Sequence, residues 1–394
     1  MVMMINKWSF VIVVMAILAG LGLTDVNAQA PSGRARAQEL GIHVGMMTPG
    51  PLNMITDVPG VKVGHLTRFE GDNIRTGVTA ILPHGGNLFR DKVPGAIYNF
   101  NSFGKMAGSL QVEELGNIET PIVLTNTLNV GTAVEALVAY MLGLEGNENI
   151  RSVNALVGET NDGYLNDIRG QHITTADVFA ALENARTGHV AEGSVGAGTG
   201  TTSFGYKAGI GTASRITDPI GGQTYTVGVL VQANFGRYLY INGVPFTREI
   251  AEEAFVRDDD GSAMVIIATD APLSDRNLRR MAKRSFMGMG RTTGFMSNSS
   301  GDFGIAFSTA YTIPHTGIRQ VENLPPFISN SEMNTLFQAV EEATQEAIYN
   351  ALFMAETVTG DRGNTSEAIP LDKVIEIMAK YNMLHLNDRL QWRP

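Results

Sequence analysis

The sequence predicts an α+β protein in which strands and helices are interspersed in one domain and helices cover two sheets. Of its 394 residues, 44% are apolar, only 17% are charged and 44 are glycines, which is typical of a compact, sheet-rich enzyme. Short runs of β-branched residues predict strands, whereas longer stretches with apolar residues at helical spacing predict helices. Because neither a repeat nor a low-complexity linker interrupts the pattern, we expect residues 29–394 to form a single domain.

The first half of the chain alternates strands with two helices. Val58 and Val61 flank a Pro-Gly turn and predict one strand on each side of it, over residues 53–58 and 61–65. Further strands are predicted over residues 76–83, 121–127 and 153–157. Apolar spacing predicts a helix over residues 133–141, and a threonine at 174 or 175 caps a second helix that runs to residue 186.

The second half places a strand over residues 225–234 and another that begins at Ser262, where Val265, Ile266 and Ile267 follow. After these strands, the pattern predicts in order an arginine-rich helix from Ser274, a turn at residues 299–302 into a strand over residues 303–311, a long helix over residues 331–354 and a shorter helix from Pro370.

The charge and the residue types exclude several classes of function. A formal charge of −10 argues against nucleic acid as a partner, and the absence of cysteine excludes disulfides, thiolate metal sites and a cysteine nucleophile. None of the seven histidines belongs to a metal-ligand motif. The glycine run at residues 196–200 lacks both the lysine of a phosphate-binding loop and the spacing of a dinucleotide fingerprint. We therefore expect no metal and no cofactor.

Residues 1–28 are predicted to be a secretory signal peptide. Lys7 precedes an apolar run over residues 10–23, and small residues follow at Ala28 and Ala30. Cleavage after Ala28 is preferred, because cleavage after Ala30 would leave Pro31 as the next residue; an uncleaved anchor is the alternative. We expect a periplasmic protein with no membrane association once the signal is removed.

The stretch before Ser262 has the composition of a self-cleavage site. Asp258, Asp259, Asp260 and Gly261 form a polar segment that ends abruptly at Ser262, where the strand begins. A serine that cuts its own chain needs a flexible peptide before it and a rigid strand to hold it. The alternative is ordinary turn chemistry, because Asp and Gly commonly precede strands.

Polar side chains at the predicted ends of strands are the other candidates for chemistry. They are Glu159, Asp162, Asn126, Asn234 and Asp302. Enzymes built on sheets often present their sites in this way, although each residue alone also fits a turn. A Ser-His-Asp triad stays open as well, since its members need not be close in sequence.

Several motifs, taken in order, resemble the L-aminopeptidase/D-esterase and β-peptidyl aminopeptidase family. They are NMITDVPGVKVGH at residues 53–65, TGVTA at 76–80, ETPI and TNT at 119–127, GAGTG at 196–200, and GS followed by ATDAPL at 261–273. The resemblance implies a four-layer αββα sandwich, similar to N-terminal nucleophile hydrolases but with different connectivity. It also implies an inactive precursor and a homo-oligomer, which we expect to be a homotetramer of αβ units.

The resemblance further implies that the chain cuts itself between Gly261 and Ser262. The products would be an α chain of residues 29–261 and a β chain of residues 262–394, whose N-terminal serine is the nucleophile. Its freed α-amine, with a reference pKa of about 7.7–8.0, suits a general base on the nucleophile itself.

Other roles follow from the same match. Ser300 and Asp302 match a Ser-x-Glu/Asp pattern that tunes the new amine, here with the shorter acid. Tyr164 and Asn234 correspond to the groups that stabilise the oxyanion. The expected anchors for the substrate's ammonium group are Glu159 and, in reserve, Asp162.

The sequence therefore predicts an exported serine aminopeptidase that acts on short peptides, amino-acid amides or esters and prefers a β-amino acid at the N-terminus. One alternative is an L-aminopeptidase/D-amino-acid esterase-amidase acting on α-substrates. An acyltransferase of similar fold and a non-catalytic periplasmic binding protein are the others.

Overall fold

Two β-sheets lie face to face at the middle of the molecule, in a computed structural model that describes residues 33–250, 261–292, 296–317 and 327–390. The predicted signal peptide and the acidic residues 258–260 lie outside the described residues.

The strands of the described chain belong mainly to two mixed sheets. The strands are β1 (Lys62–Glu70), β2 (Ile74–Leu82), β3 (Asp91–Ser102), β4 (Met106–Ala107), β5 (Asn117–Ile118), β6 (Ile122–Asn126), β7 (Leu156–Thr160), β8 (Thr202–Ser203), β9 (Tyr206–Lys207), β10 (Ile210–Ile216), β11 (Thr226–Asn234), β12 (Ser262–Thr269), β13 (Gly301–Ser308), β14 (Ile313–Pro314), β15 (Val358–Thr359) and β16 (Thr365–Ser366). The first sheet has the order β1-β2-β6-β7-β4. The second has the order β10-β11-β12-β13-β3-β14, with β5 beside β3.

Helices cover the outer faces of both sheets. The α-helices are α1 (Ser109–Leu115), α2 (Val130–Leu142), α3 (Thr175–Glu183), α4 (Phe246–Ile250), α5 (Asp275–Gly290), α6 (Met333–Phe353), α7 (Leu371–Lys380) and α8 (Leu386–Arg389). Helices α2 and α3 contact the first sheet, whereas α5 and α6 contact the second. No helix in the described ranges combines the length and the apolar character needed to span a membrane.

Three buried clusters of apolar side chains join these layers. Ile81 of the first sheet and Met264 of the second belong to the cluster between the sheets. On the outer face of the first sheet, Val123 packs in a cluster with α2 and α3. On the outer face of the second sheet, Val265 packs with α5 and α6. The order helix, sheet, sheet, helix confirms the predicted αββα sandwich.

Strand β12 is central to the second sheet and is buried along its whole length. Its Met264 and Ile266 face the first sheet, and Val265 and Ile267 face the helices. Since side chains alternate along a strand, Ser262 lies on the same side as Met264, towards the first sheet. β12 runs antiparallel to β11 and parallel to β13; a parallel pair needs a crossover, which α5 supplies.

A buried ion-pair cluster holds α6 on the second sheet. Arg215 of β10 contacts Glu342 at 3.3 Å and Glu346 at 2.6 Å, and all three side chains are almost fully buried. Because unpaired buried charges are costly, this pairing fixes the position of α6 along the sheet.

Several details of the chain differ from the pattern-based prediction. The strand expected over residues 53–58 is wrong: Ile55–Asp57 is a short 3₁₀ helix. The Asp57 carboxylate accepts the N–H groups of Leu52 and Met54, which closes a turn. Strand β7 begins three residues later than predicted, because the Glu119 carboxylate binds the N–H of Asn154. The long strand β3 has no counterpart in the predictions.

Candidate active site

A cavity of about 630 Å³ opens where β12 begins, at the end of the space between the two sheets. Its walls include the predicted site residues Gly261, Ser262, Asn234, Glu159 and Tyr164. These five residues come from three separate parts of the chain, so the fold brings together groups that lie far apart in the sequence.

Ser262 is the first residue of β12, and only 6% of its surface is exposed. Its cross-strand partners are Asn234 on β11 and Gly301 on β13. The Asn234 amide Nδ2 lies 3.4 Å from Ser262 Oγ. Because Asn234 Oδ1 accepts the N–H of Thr202 at 3.1 Å, the amide presents its NH₂ group to the serine.

The peptide bond before Ser262 is held from two sides. The Gly261 carbonyl accepts the N–H of Gly301 at 3.1 Å. A Cβ atom at residue 261 would lie 2.9 Å from Phe235 Cβ and 3.3 Å from Ser300 Oγ. Only glycine fits this close approach, so residue 261 keeps its backbone against Phe235 and its carbonyl beside β13.

Ser300 and Asp302 form a buried pair next to Gly261. Ser300 Oγ donates a hydrogen bond to Asp302 Oδ1 at 2.9 Å, and Asn101 Nδ2 fixes the turn by donating to the Ser300 carbonyl at 2.6 Å. Burial raises the pKa of Asp302 to about 6, against hydrogen bonds from Ser300 and the Ala263 backbone that lower it. The predicted Ser-x-Asp pair is therefore assembled beside Ser262.

Glu159 lies at the end of β7 with its carboxylate turned into the cavity wall. Its Oε1 accepts the backbone N–H of Lys105 at 3.0 Å, and the Thr127 hydroxyl donates to its Oε2. Lys105 Nζ lies 3.8 Å from the same Oε1. The carboxylate is thus buried, held by two neutral donors and faced by one cation, which is suitable for binding an ammonium group.

Tyr164 lines the cavity, and its hydroxyl donates to the Thr365 carbonyl at 3.3 Å. Asp162 does not line the cavity. It is 1% exposed, Asn166 Nδ2 donates to its Oδ1 at 3.0 Å, and burial raises its pKa to about 7. The carboxyl group points into the protein, so the reserve role given to Asp162 as an ammonium anchor does not fit its position.

The fold shows roles for the glycine run and for two lining residues, Thr202 and Lys105, that the sequence did not indicate. Gly200 passes so close to β2 that a Cβ atom there would lie 2.2 Å from the Arg75 carbonyl. This close approach leads the chain to Thr202, which orients Asn234. Thr202 and Lys105 were not predicted; the only signal was that Thr202 ends the glycine run.

In the described part of the chain, no three acidic or histidine side chains are grouped to hold a metal ion.

Comparison with known proteins gives a consistent result over most of the chain. The model of peptidase family S58 matches residues 53–366. The β-peptidyl aminopeptidase BapA of Sphingosinicella microcystinivorans is 38% identical over 398 residues, covering 94% of this chain and 97% of that protein.

Two solved structures have the same fold. The PH0078 protein from Pyrococcus horikoshii OT3 superposes with a TM-score of 0.83 and 47% identity, covering 88% of this chain and 99% of that one. The L-aminopeptidase D-Ala-esterase/amidase from Ochrobactrum anthropi gives a TM-score of 0.80 with 36% identity, over 89% and 99% of the two chains. That enzyme is described as a prototype for the serine aminopeptidases and a new variant of the Ntn hydrolase fold.

Proposed function

Since this chain belongs to peptidase family S58 and is a serine aminopeptidase, we propose that it cuts itself between Gly261 and Ser262 and then releases β-amino acids from the N-termini of short peptides. The single observation that carries this proposal is the position of Ser262: the first residue of a rigid central strand, in the wall of a cavity, with its Oγ beside the Asn234 amide. Family membership sets aside the alternative of a non-catalytic binding protein.

Self-cleavage proceeds by transfer of the Gly261 acyl group. Ser262 Oγ attacks the Gly261 carbonyl carbon, and the peptide nitrogen of Ser262 leaves as an amine after taking a proton. Water then hydrolyses the resulting ester and gives a carboxylate at Gly261 and a free hydroxyl and α-amine at Ser262. The Gly301 N–H, which already binds the Gly261 carbonyl at 3.1 Å, is a donor for the oxyanion.

The mature enzyme uses the same serine on a bound peptide. The α-amine of Ser262, with a reference pKa of about 7.7–8.0, takes the proton of Oγ as that oxygen attacks the substrate carbonyl. Asn234 stabilises the oxyanion, joined by Tyr164 once its hydroxyl turns from the Thr365 carbonyl to which it donates, and Ser300 with Asp302 orients the amine. Glu159 binds the substrate's own ammonium group and so restricts cleavage to the N-terminal residue. Water releases the product from the acyl-enzyme.

The preference for β-amino acids rests on the likeness to BapA, whose name gives that activity. The likeness to the O. anthropi enzyme, named as an L-aminopeptidase and D-Ala-esterase/amidase, favours α-substrates as the second candidate. Hydrolysis of the p-nitroanilides of β-alanine, L-alanine and D-alanine separates the two. A higher kcat/KM for β-alanine supports the β-peptidase, and a higher value for L-alanine replaces it with the second candidate.

Ser262→Ala tests the proposed mechanism. We expect the wild type to give two bands on a denaturing gel and a chain that begins Ser-Ala-Met-Val, whereas Ser262→Ala gives one inactive band. Ser152→Ala, at an exposed serine, should be processed like the wild type. Two bands from Ser262→Ala would rule out this serine as the agent of cleavage.

The location and assembly belong to the same proposal. The apolar run of residues 10–23 after Lys7 supports export to the periplasm with removal of residues 1–28. We further propose a homotetramer of αβ units. Terminal sequencing of the α chain tests the export signal, and an α chain that begins at residue 1 would refute its removal. Light scattering of the native protein tests the assembly, and a mass of one αβ unit would refute the homotetramer.

A further inference from the structure

The charges that line the cavity carry a further inference. Among the described lining residues, Glu159 and Lys105 are the ionisable acid and base, and they face each other. Serine, threonine, asparagine, glycine and aromatic residues make up the rest of the described wall. The cavity therefore presents one negative and one positive charge near the proposed nucleophile.

The two charges differ in how firmly they are held. The Glu159 side chain is 5% exposed and accepts hydrogen bonds from the Lys105 backbone and the Thr127 hydroxyl. The Lys105 side chain is 54% exposed, and its Nζ lies 3.8 Å from the carboxylate, which is long for a charged hydrogen bond. A long contact with an exposed lysine contributes little, and the flexible stem of lysine leaves its ammonium group free to move.

We propose that Lys105 selects short peptides that carry a free C-terminal carboxylate. This rests on the proposed function, in which Glu159 binds the substrate's ammonium group. Once that ammonium lies beside Glu159, it replaces the Lys105 ammonium as the counter-charge. Lys105 then faces the cavity without its carboxylate, and the remaining charge of a zwitterionic peptide is the anion that matches it.

A backbone hydrogen bond holds Lys105 beside Glu159, where its side chain can reach the substrate's carboxylate. The Lys105 N–H bond to Glu159 does not depend on the lysine side chain, so the two charged ends of the substrate are recognised by one connected unit. The unit holds the ammonium end rigidly and the carboxylate end through a mobile stem. Peptides that differ in length by an atom or two are therefore accepted, whereas amides, esters and anilides lose this contact.

A pair of substrates with the same scissile bond tests the proposal. β-Alanyl-leucine and β-alanyl-leucinamide differ only in the terminal carboxylate. We expect the wild type to have a higher kcat/KM for the acid, through a lower KM. Lys105→Met should reduce the acid-to-amide ratio about fivefold, the upper range for a partly exposed ion pair, and Lys105→Glu should place the amide first. Lys373→Met, at an exposed lysine of α7, should keep the wild-type ratio.

The outcomes distinguish a failure of the Lys105 proposal from a failure of the proposed aminopeptidase function. A ratio that is the same in the wild type, Lys105→Met and Lys105→Glu overturns the role of Lys105 while the aminopeptidase stands. If a Lys105 variant is not processed, the wild type alone still decides, because its preference for the acid should decline as salt screens the contact; a salt-independent ratio contradicts the proposal. A wild type that is inactive on both compounds refutes the proposed function itself, and this inference with it.

Discussion

Asn234 and Ser262 are direct partners across β11 and β12, with Asn234 Nδ2 3.4 Å from Ser262 Oγ. The amide cannot turn over without breaking the bond between its oxygen and the Thr202 N–H. A fixed NH₂ donor beside a nucleophile is the arrangement that stabilises an oxyanion without reorganisation during the reaction.

Replacing this donor should slow the chemistry more than it weakens binding. We expect Asn234→Ala to lower kcat by roughly 10²–10³-fold, with a much smaller change in KM. Steady-state kinetics on a β-alanyl substrate measures both. Asn149→Ala, at an exposed position, serves as the control. A kcat within threefold of the wild type would remove Asn234 from the oxyanion site.

The tight space at Gly261 makes self-cleavage sensitive to a single methyl group. In Gly261→Ala the new Cβ would lie 2.9 Å from Phe235 Cβ, so the backbone at residue 261 must shift. The carbonyl carbon then moves out of line with Ser262 Oγ, the atom that attacks it. We expect at least a tenfold slower appearance of the two chains on a denaturing gel, since small displacements of reacting atoms cost about that much or more. Gly131→Ala has open space around it and should be cut at the wild-type rate. Equal rates for both variants would show that the clash does not limit cleavage.

Asp302 should make the uncut protein less stable at high pH. Its pKa is about 6 in the folded chain, above the ordinary 3.8, because burial disfavours the charged form. Its contribution to stability is therefore fully present below about pH 4 and is lost as the pH rises through 6. In the Ser262→Ala background, Asp302→Asn should raise the free energy of unfolding by about 2–3 kcal/mol at pH 8.

Urea unfolding at pH 5 and pH 8 measures this effect, and the gain from Asp302→Asn should shrink at the lower pH. Asp218→Asn, at an exposed position, should give no such difference. A gain that is equal at both values of pH would mean that the ionisation of Asp302 is not its source.

The ion-pair cluster under α6 should be costly to break. Arg215→Met leaves Glu342 and Glu346 buried without their cation, and we expect a loss of about 3–5 kcal/mol. Arg291→Met removes a 56% exposed arginine from its pair with Glu341 and should cost less than about 1 kcal/mol. Thermal unfolding compares the two variants. Similar losses would mean that α6 is held by its apolar contacts instead.

Local patterns in the sequence predicted most of the elements around Ser262. The β-branched run after Ser262 indicated β12, and the periodicity of residues 331–354 indicated α6, because both signals come from neighbours along the chain. The family resemblance supplied the αββα order; the comparisons confirm the family and the likeness to an Ntn hydrolase fold, and the two sheets between helices agree with the layers.

The misses arose where a distant residue decides the local structure. Ile55 lies in a 3₁₀ helix partly because its N–H donates to Thr212 Oγ1, far along the chain. β3 carries Pro94 and a polar end at Asn99 and Asn101, so its residues do not have the pattern of a buried strand. No sequence pattern marks Lys105 as a site residue, because only the fold brings it to Glu159.

The strand order of the second sheet has one more consequence. β12 and β13, which follow residue 261, lie between β11 and β3, which precede it. A cut ahead of Ser262 would therefore leave two polypeptides woven through one sheet, and neither could be withdrawn without pulling the other apart. The two chains would therefore remain associated in the folded protein. We expect that neither chain could fold when produced alone and then assemble with the other.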